Sequence, residues 1–313
     1  MPRFILQRLA ATLPVLCIVA VIVFMLLRLT SGDPALILAG DSATPEQLEN
    51  IRATMGLDKP MLQQFLIWAS GLLRGDLGVS LISGTPVSSM IADRFGPSLA
   101  LCLSTIILAI AVAIPLGIVA AWQQGKSLDR LIMAASVIGF SVPVFIFGYT
   151  LILIFSRWLG WLPVQGYRPL NEGVWPFFER LILPTLALST AYIALIARIV
   201  RTSVIEVMGE DFIRTARAKG LKESGVLIHH ALRNAAVPIV TIIGVSIAML
   251  IGGVVVTESV FNIPGLGRLV LESVQARDYP IIQALILIFS ALYIVINLVI
   301  DLLYALIDPR IRY

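Results

Sequence analysis

Six stretches of this chain contain no Asp, Glu, Lys or Arg: residues 9–27, 97–124, 131–156, 181–197, 234–257 and 280–300. Each lies close to or above the ~17–25 apolar residues that an α-helix needs to cross the hydrocarbon core of a bilayer. Only 13% of the 313 residues are charged and 58% are hydrophobic, against roughly a quarter charged in ordinary globular chains. With a mean hydropathy of +0.94, too few charges remain to cover a water-facing surface, so lipid must surround most of it. Barrel strands would alternate polar and apolar side chains, whereas these runs are apolar throughout. The sequence therefore predicts an all-α integral membrane protein with six transmembrane helices.

Arg3 and Arg8 precede the first stretch, as they would in a secretory signal. Its apolar run exceeds the usual ~7–15 residues, however, and no A-x-A-like cleavage site follows. An uncleaved first helix is expected. The fourth stretch is the shortest and should extend through Arg198, whose long side chain can snorkel to the interface. The second and third leave room for tilt. Net charge is +4, but the basic residues sit at the ends of apolar segments, the pattern of membrane orientation rather than of a nucleic-acid surface. With the N-terminus inside, the inner segments hold 13 of the 23 basic residues. The long outer loop is set aside, because segments beyond about 60 residues translocate regardless of charge. The other outer segments then hold 5. Both termini are predicted to be cytoplasmic.

Outside the spans, Thr44 can cap a helix over 45–56 that Gly56 can end, and a second helix, 61–73, should follow Pro60. These form a small extracytoplasmic helical cap. The organisation reads as a first transmembrane helix (1–30), an extracytoplasmic loop or cap (31–96), a five-helix core (97–303) containing a cytoplasmic loop (198–233), and a cytoplasmic tail (304–313).

Catalytic chemistry finds no foothold. Cys17 and Cys102 both fall in apolar runs and make neither a disulfide framework nor a metal site. Gly125-Lys126-Ser127 lacks the earlier glycine of a phosphate loop, that position being Ala120, and follows a span where the motif requires a strand. Gly139-Phe140-Ser141-Val142-Pro143 lacks the final glycine of a nucleophile elbow. Ser141 and Pro143 instead loosen the third span or line a polar path. His229 and His230 point about 100° apart on a helix and cannot readily chelate one metal. No cofactor and no metal are expected.

No Asp, Glu, Lys or Arg lies inside any of the six stretches, whereas proton- and voltage-driven machines place ionisable groups of that kind there. Na⁺ coupling can use backbone carbonyls and stays open. No energy source is visible in the chain, however, and a transporter without one is passive or is powered by a partner. The mild polar residues Ser136, Ser141, Ser189, Thr190, Tyr192 and Ser246 either bond between helices or line a translocation path.

The loop 198–233 carries a net charge of +3. Glu210 and Asp211 open its first helix and basic residues close it, which suits the helix dipole. Gly220 is placed to cap that helix in the left-handed conformation, and a second helix then runs into the fifth span. From charge alone the loop reads as a positive-inside anchor. Its residues Arg214-Thr215-Ala216-Arg217-Ala218-Lys219-Gly220-Leu221, followed by His230-Ala231-Leu232-Arg233-Asn234-Ala235, resemble the coupling-loop signature of ATP-binding-cassette permeases of the peptide family (dipeptide, oligopeptide and nickel). Gly32-Asp33-Pro34-Ala35, Gly56-Leu57-Asp58-Lys59-Pro60 and Leu73-Arg74-Gly75-Asp76-Leu77-Gly78 agree. So do Pro264-Gly265-Leu266-Gly267-Arg268-Leu269, Arg277-Asp278-Tyr279-Pro280 and the ending Asp308-Pro309-Arg310-Ile311-Arg312-Tyr313. The resemblance covers nearly the whole chain.

It implies the type I importer permease fold in a bacterial inner membrane, with four kinds of companion. These are a second homologous permease, two cytoplasmic ATPase subunits, an extracytoplasmic substrate-binding protein and membrane lipid. It also implies that Arg214, Thr215, Ala216, Arg217, Ala218, Lys219, Gly220, Leu221, Lys222 and Glu223 couple the permease to an ATPase, so the chain itself is not an enzyme. One departure is that the Glu-Ala-Ala start general to such loops is Arg214-Thr215-Ala216 here. Peptide is the default cargo. Nickel chelates, glutathione and opines are served by chains of the same pattern, and a stand-alone secondary carrier is the rival from another class.

Overall fold

The computed structural model describes residues 2–29, 35–36, 44–54 and 56–307. Among them helices account for the regular structure, apart from one isolated antiparallel bridge between Val79 and Pro86. Two of the sequence motifs, Gly32-Asp33-Pro34 and 308–313, lie outside the described residues. The chain divides into two compact units, Met1–Phe95 with Leu269–Ile294, and Gly96–Arg268 with Val295–Tyr313.

The first unit opens with α1 (Pro2–Leu29), then α2 (Pro45–Thr54) and α3 (Met61–Leu73). Thr44 caps α2 as the sequence predicts. The Gln47 N–H donates to Thr44 Oγ1 at 3.3 Å and the Thr44 N–H donates to Gln47 Oε1 at 2.9 Å, a reciprocal capping box. Phe65 and Trp68 of α3 enclose Phe24 of α1, with ring centroids 5.2 and 5.6 Å away. Two motifs nearly 200 residues apart meet here. Asp278, almost wholly buried, accepts from Ser80 Oγ at 2.5 Å and from the Leu81 N–H at 3.1 Å.

The second unit is built around α7 (Val174–Met208), which packs against α5 (Ser127–Ser141), α6 (Val144–Leu151) and α9 (Ala236–Val260). The helix α4 (Val87–Trp122) approaches α7 closely at Gly117, where a Cβ would stand 2.6 Å from Val200 Cβ. Small residues permit such contacts where two apolar helices pack without a hydrophobic driving force between them. The remaining helices are α8 (Asp211–Ala218), α10 (Leu266–Ala276) and α11 (Tyr279–Ile307).

Among the described residues, four helices are long and apolar enough to cross a membrane: α4, α7, α9 and α11 over Tyr279–Tyr304. The predicted third span is not continuous. It breaks after Ser141, where Val142 is extended (ψ 122°), a conformation that suits a residue preceding proline. The two arms, α5 and α6 with its π-helical continuation Ile152–Trp158, meet at 101° and make a fifth span if counted together. In α1 the apolar helix among the described side chains is Ala11–Leu26, shorter than the other four.

Candidate functional site

The segment after α7 is organised by its own sequence. Asp211 lies in the first turn of α8 and Arg217 in the last, each opposite in sign to its end of the helix dipole. Ile213 and Ala216 face inward and are buried, and they join the same apolar core as Ala197, Val200 and Val204 of α7. Arg214, Thr215, Ala218, Lys219, Leu221 and Lys222 face outward. The helix closes with a Schellman motif: the Gly220 N–H donates to the Arg217 carbonyl at 2.9 Å and the Leu221 N–H to the Ala216 carbonyl at 3.4 Å. Gly220 takes φ +77° with nothing within 4 Å of where a Cβ would stand. Glycine is therefore required here by backbone conformation and not by space.

Arg217 then clamps the far side of the turn. Its Nε and Nη2 donate to the two carboxylate oxygens of Glu223 at 2.8 and 3.2 Å. Beyond it the chain runs through Glu223–Gly225 and a π-helical segment, Val226–Leu232, into α9. Val226, Leu227 and Ala231 are buried in the same core. A cleft of about 480 Å³ opens beside this knuckle, lined by Trp122 of α4, Ile205 and Met208 of α7, and Arg217, Glu223 and Leu227 of the loop. The loop is thus a firm, basic knob whose inner face is continuous with the helix core.

The candidate path residues do not form one group. Ser189, Tyr192 and Ser246 are buried within the chain, and Ser189 and Ser246 donate to carbonyls of their own helices, those of Leu186 and Ile242. Thr190 and Ser136 are half-buried and do the same with the Leu186 and Ile132 carbonyls. Ser141, at the break between α5 and α6, is exposed. Thr190 lies against Gly139, close to that break.

Two buried charges went unnoticed in the sequence because each stands just outside a charge-free stretch. Asp129, in the first turn of α5, accepts from Arg201 Nε at 2.5 Å, Arg201 Nη2 at 2.8 Å and the Gly125 N–H at 2.9 Å. Glu258, near the end of α9, is fully buried. It accepts from Ser98 Oγ and from the Arg268 N–H at the start of α10. A Cβ at Gly265 would run into that carboxylate, and one at Gly267 would stand 2.6 Å from the Val255 Cα and 3.1 Å from Glu258 Oε2. The Pro-Gly-Leu-Gly-Arg run seen in the sequence is the space left for Glu258, and its two spaced glycines were the available signal.

Comparison with known proteins decides the family. Residues 113–313 match the family described as binding-protein-dependent transport system inner membrane component, and residues 1–102 match its N-terminal companion. The chain belongs to this family of inner-membrane transport components. A probable peptide ABC transporter permease protein, y4tP of Sinorhizobium fredii, is 51% identical over 99% of both chains. The glutathione transport system permease protein GsiC of Escherichia coli K12 is 44% identical over the full length of both. A chain from the MetNI methionine ABC transporter in inward-facing conformations matches with a TM-score of 0.59 at 17% identity. The match covers 71% of this chain and 97% of that one, and it shows a shared fold. As a permease of this family the protein is a multi-pass inner-membrane component and not an enzyme, since ATPase activity in such systems belongs to separate subunits.

Proposed function

We propose that this permease is half of the pore of an ATP-driven peptide importer, crossing the inner membrane six times with both termini in the cytoplasm. Five crossings are the four long helices and the bent α5–α6 pair; α1 supplies the sixth, in the type I arrangement. Residues 31–96 form the extracytoplasmic cap, 97–303 the five-helix core and 304–313 a cytoplasmic tail. A second homologous permease completes the pore, two ATPase subunits bind inside, and a substrate-binding protein delivers cargo outside. The names of the relatives y4tP and GsiC support a peptide cargo, glutathione itself being a short peptide.

The observation that carries the reading is the knuckle at Gly220, a basic projection rigidly continuous with the core through Ile213, Ala216 and Val226. A surface seated in this way delivers a push from an ATPase to α7 and α9 as rigid-body rocking. Residues 214–223 are its contact surface. The exposed Ser141 and its half-buried neighbour Thr190 line the path at the bend, with Ser136 nearby, while Ser189, Tyr192 and Ser246 set helix packing.

The test is Gly220→Val in the reconstituted complex with ATPases and binding protein. A β-branched residue resists φ +77° at a cost of about 1–2 kcal/mol, which deforms the tip. Peptide uptake should fall at least about ten-fold while the subunits still co-purify and hydrolyse ATP. Uptake at the wild-type rate overturns the coupling role. Uptake by this chain alone, without ATPase subunits, establishes the stand-alone carrier instead.

A further inference from the structure

We infer that α3 is a membrane-interface helix whose outer face is covered by lipid, so that the extracytoplasmic cap is in part sunk into the bilayer surface. The helix Met61–Leu73 contains no charged residue. At 1.5 Å per residue its 13 residues reach only about 20 Å, too short for the ~30 Å hydrocarbon core. No residue in it is fully buried. Its inner face, Phe65 and Trp68, rests on Phe24. The opposite face exposes Leu62 (71%), Leu66 (58%), Ile67 and Leu73 (91%). Facing water, such a stripe would be an unmanaged apolar patch.

Its depth identifies the occupant. Phe24 lies within the apolar run of α1, whose other side chains Leu13, Ile18, Ile22 and Leu26 are likewise exposed. The Val23 carbonyl accepts from Gln283 Nε2 at 3.0 Å, and Gln283 lies just inside the start of α11, a helix long and apolar enough to span. A helix packed on Phe24 therefore sits at the level where α1 and α11 leave the hydrocarbon. Apart from the exposed Gln63, its exposed stripe continues the apolar outer surface of α1. Lys59 and Arg74 stand immediately outside its two ends, at the places where basic side chains meet anionic headgroups. Two of its polar side chains bond internally, Gln64 Nε2 to the Leu57 and Lys59 carbonyls and Ser70 Oγ to that of Ile67. Gln63 is exposed, where an interface helix meets headgroups and water. This is the composition of a helix lying in the interface plane.

The inference rests on the reading of α1 and α11 as spans, and the experiment separates the two. The complete transporter is placed in nanodiscs of phosphatidylcholine and phosphatidylglycerol, with Cys17 and Cys102 replaced. A nitrobenzoxadiazole label is attached in turn at Leu66→Cys, Ser83→Cys and Leu292→Cys. At position 66, lipid carrying a doxyl group at carbon 5 should quench the label more than about two-fold, while iodide quenches it far less than at position 83. Iodide access equal to that at position 83 overturns the inference. Protection from both quenchers also overturns it, because a protein partner then covers the face. If the label on α11 at position 292 is itself open to iodide and blind to doxyl lipid, the spanning reading falls and the inference falls with it.

Discussion

Asp129 shows what one buried charge demands. Its side chain is only 5% exposed, and three donors surround it: two from Arg201 and one from Gly125. A carboxylate taken from water costs several kcal/mol unless it is fully paired. Asp129→Asn preserves the shape but leaves the Arg201 guanidinium facing a neutral amide. Removing one partner of a buried pair costs about 3–5 kcal/mol. Because the Arg201 side chain is 24% exposed, the expected loss is smaller, about 2–3 kcal/mol. It is read as a lower thermal midpoint of the purified protein in detergent. Replacing both residues by Leu should lose less than the two single leucine changes added together, and a fully additive loss refutes the pairing. Nothing in the sequence marks this pair. Asp129 reads as an ordinary acidic first-turn residue and Arg201 as one more basic anchor, and only folding brings them together across 72 positions.

Elements were legible wherever their ends carry local chemistry. The capping pair Thr44 and Gln47 fixes the start of α2, and Gly220 with φ +77° fixes the end of α8, because both motifs involve side chains or glycine within one turn. The bend in the third span is the opposite case. Ser141 and Pro143 mark where 131–156 loosens, but hydropathy is blind to direction and gives no sign of the 101° turn. Pro143 marks the break but packing holds it. On one arm Gly139 admits Thr190; on the other Gly148 admits Phe261, whose Cε2 would lie 3.1 Å from an added Cβ. Pro143→Ala should therefore leave the bend in place, and Gly148→Leu should open it by pushing α6 from Phe261. The check is the distance between spin labels at Leu131 and Trp158, measured by pulsed electron resonance. An increase with Pro143→Ala and none with Gly148→Leu refutes packing as the restraint. The π-helical runs Ile152–Trp158 and Val226–Leu232 had no signal, since a shift from i+4 to i+5 bonding alters no pattern of apolar side chains.

At the scale of the molecule, energy and orientation are one question. Buried charges exist, but Asp129, Glu258 and Asp278 each stand at an end of an apolar run and are bonded to partners. None has the mid-membrane position at which ion-driven machines hold a titratable group. The driving force must then enter from outside the chain, and ATP is inside the cell. The knuckle at Gly220 is useful only if it faces the cytoplasm. The distribution of Lys and Arg favours the same orientation: the proposed topology puts 13 of 23 on the side of the knuckle, and positive charge tends to be retained inside. In a background lacking Cys17 and Cys102, Ser224→Cys and Ser83→Cys are both on exposed sites, and the proposed topology assigns them to opposite sides of the membrane. A membrane-impermeant maleimide should modify position 83 in intact cells and position 224 only after permeabilisation. The reverse pattern would put the knuckle where no ATPase can reach it. Coupling through Gly220 would then be physically impossible, whatever the fold.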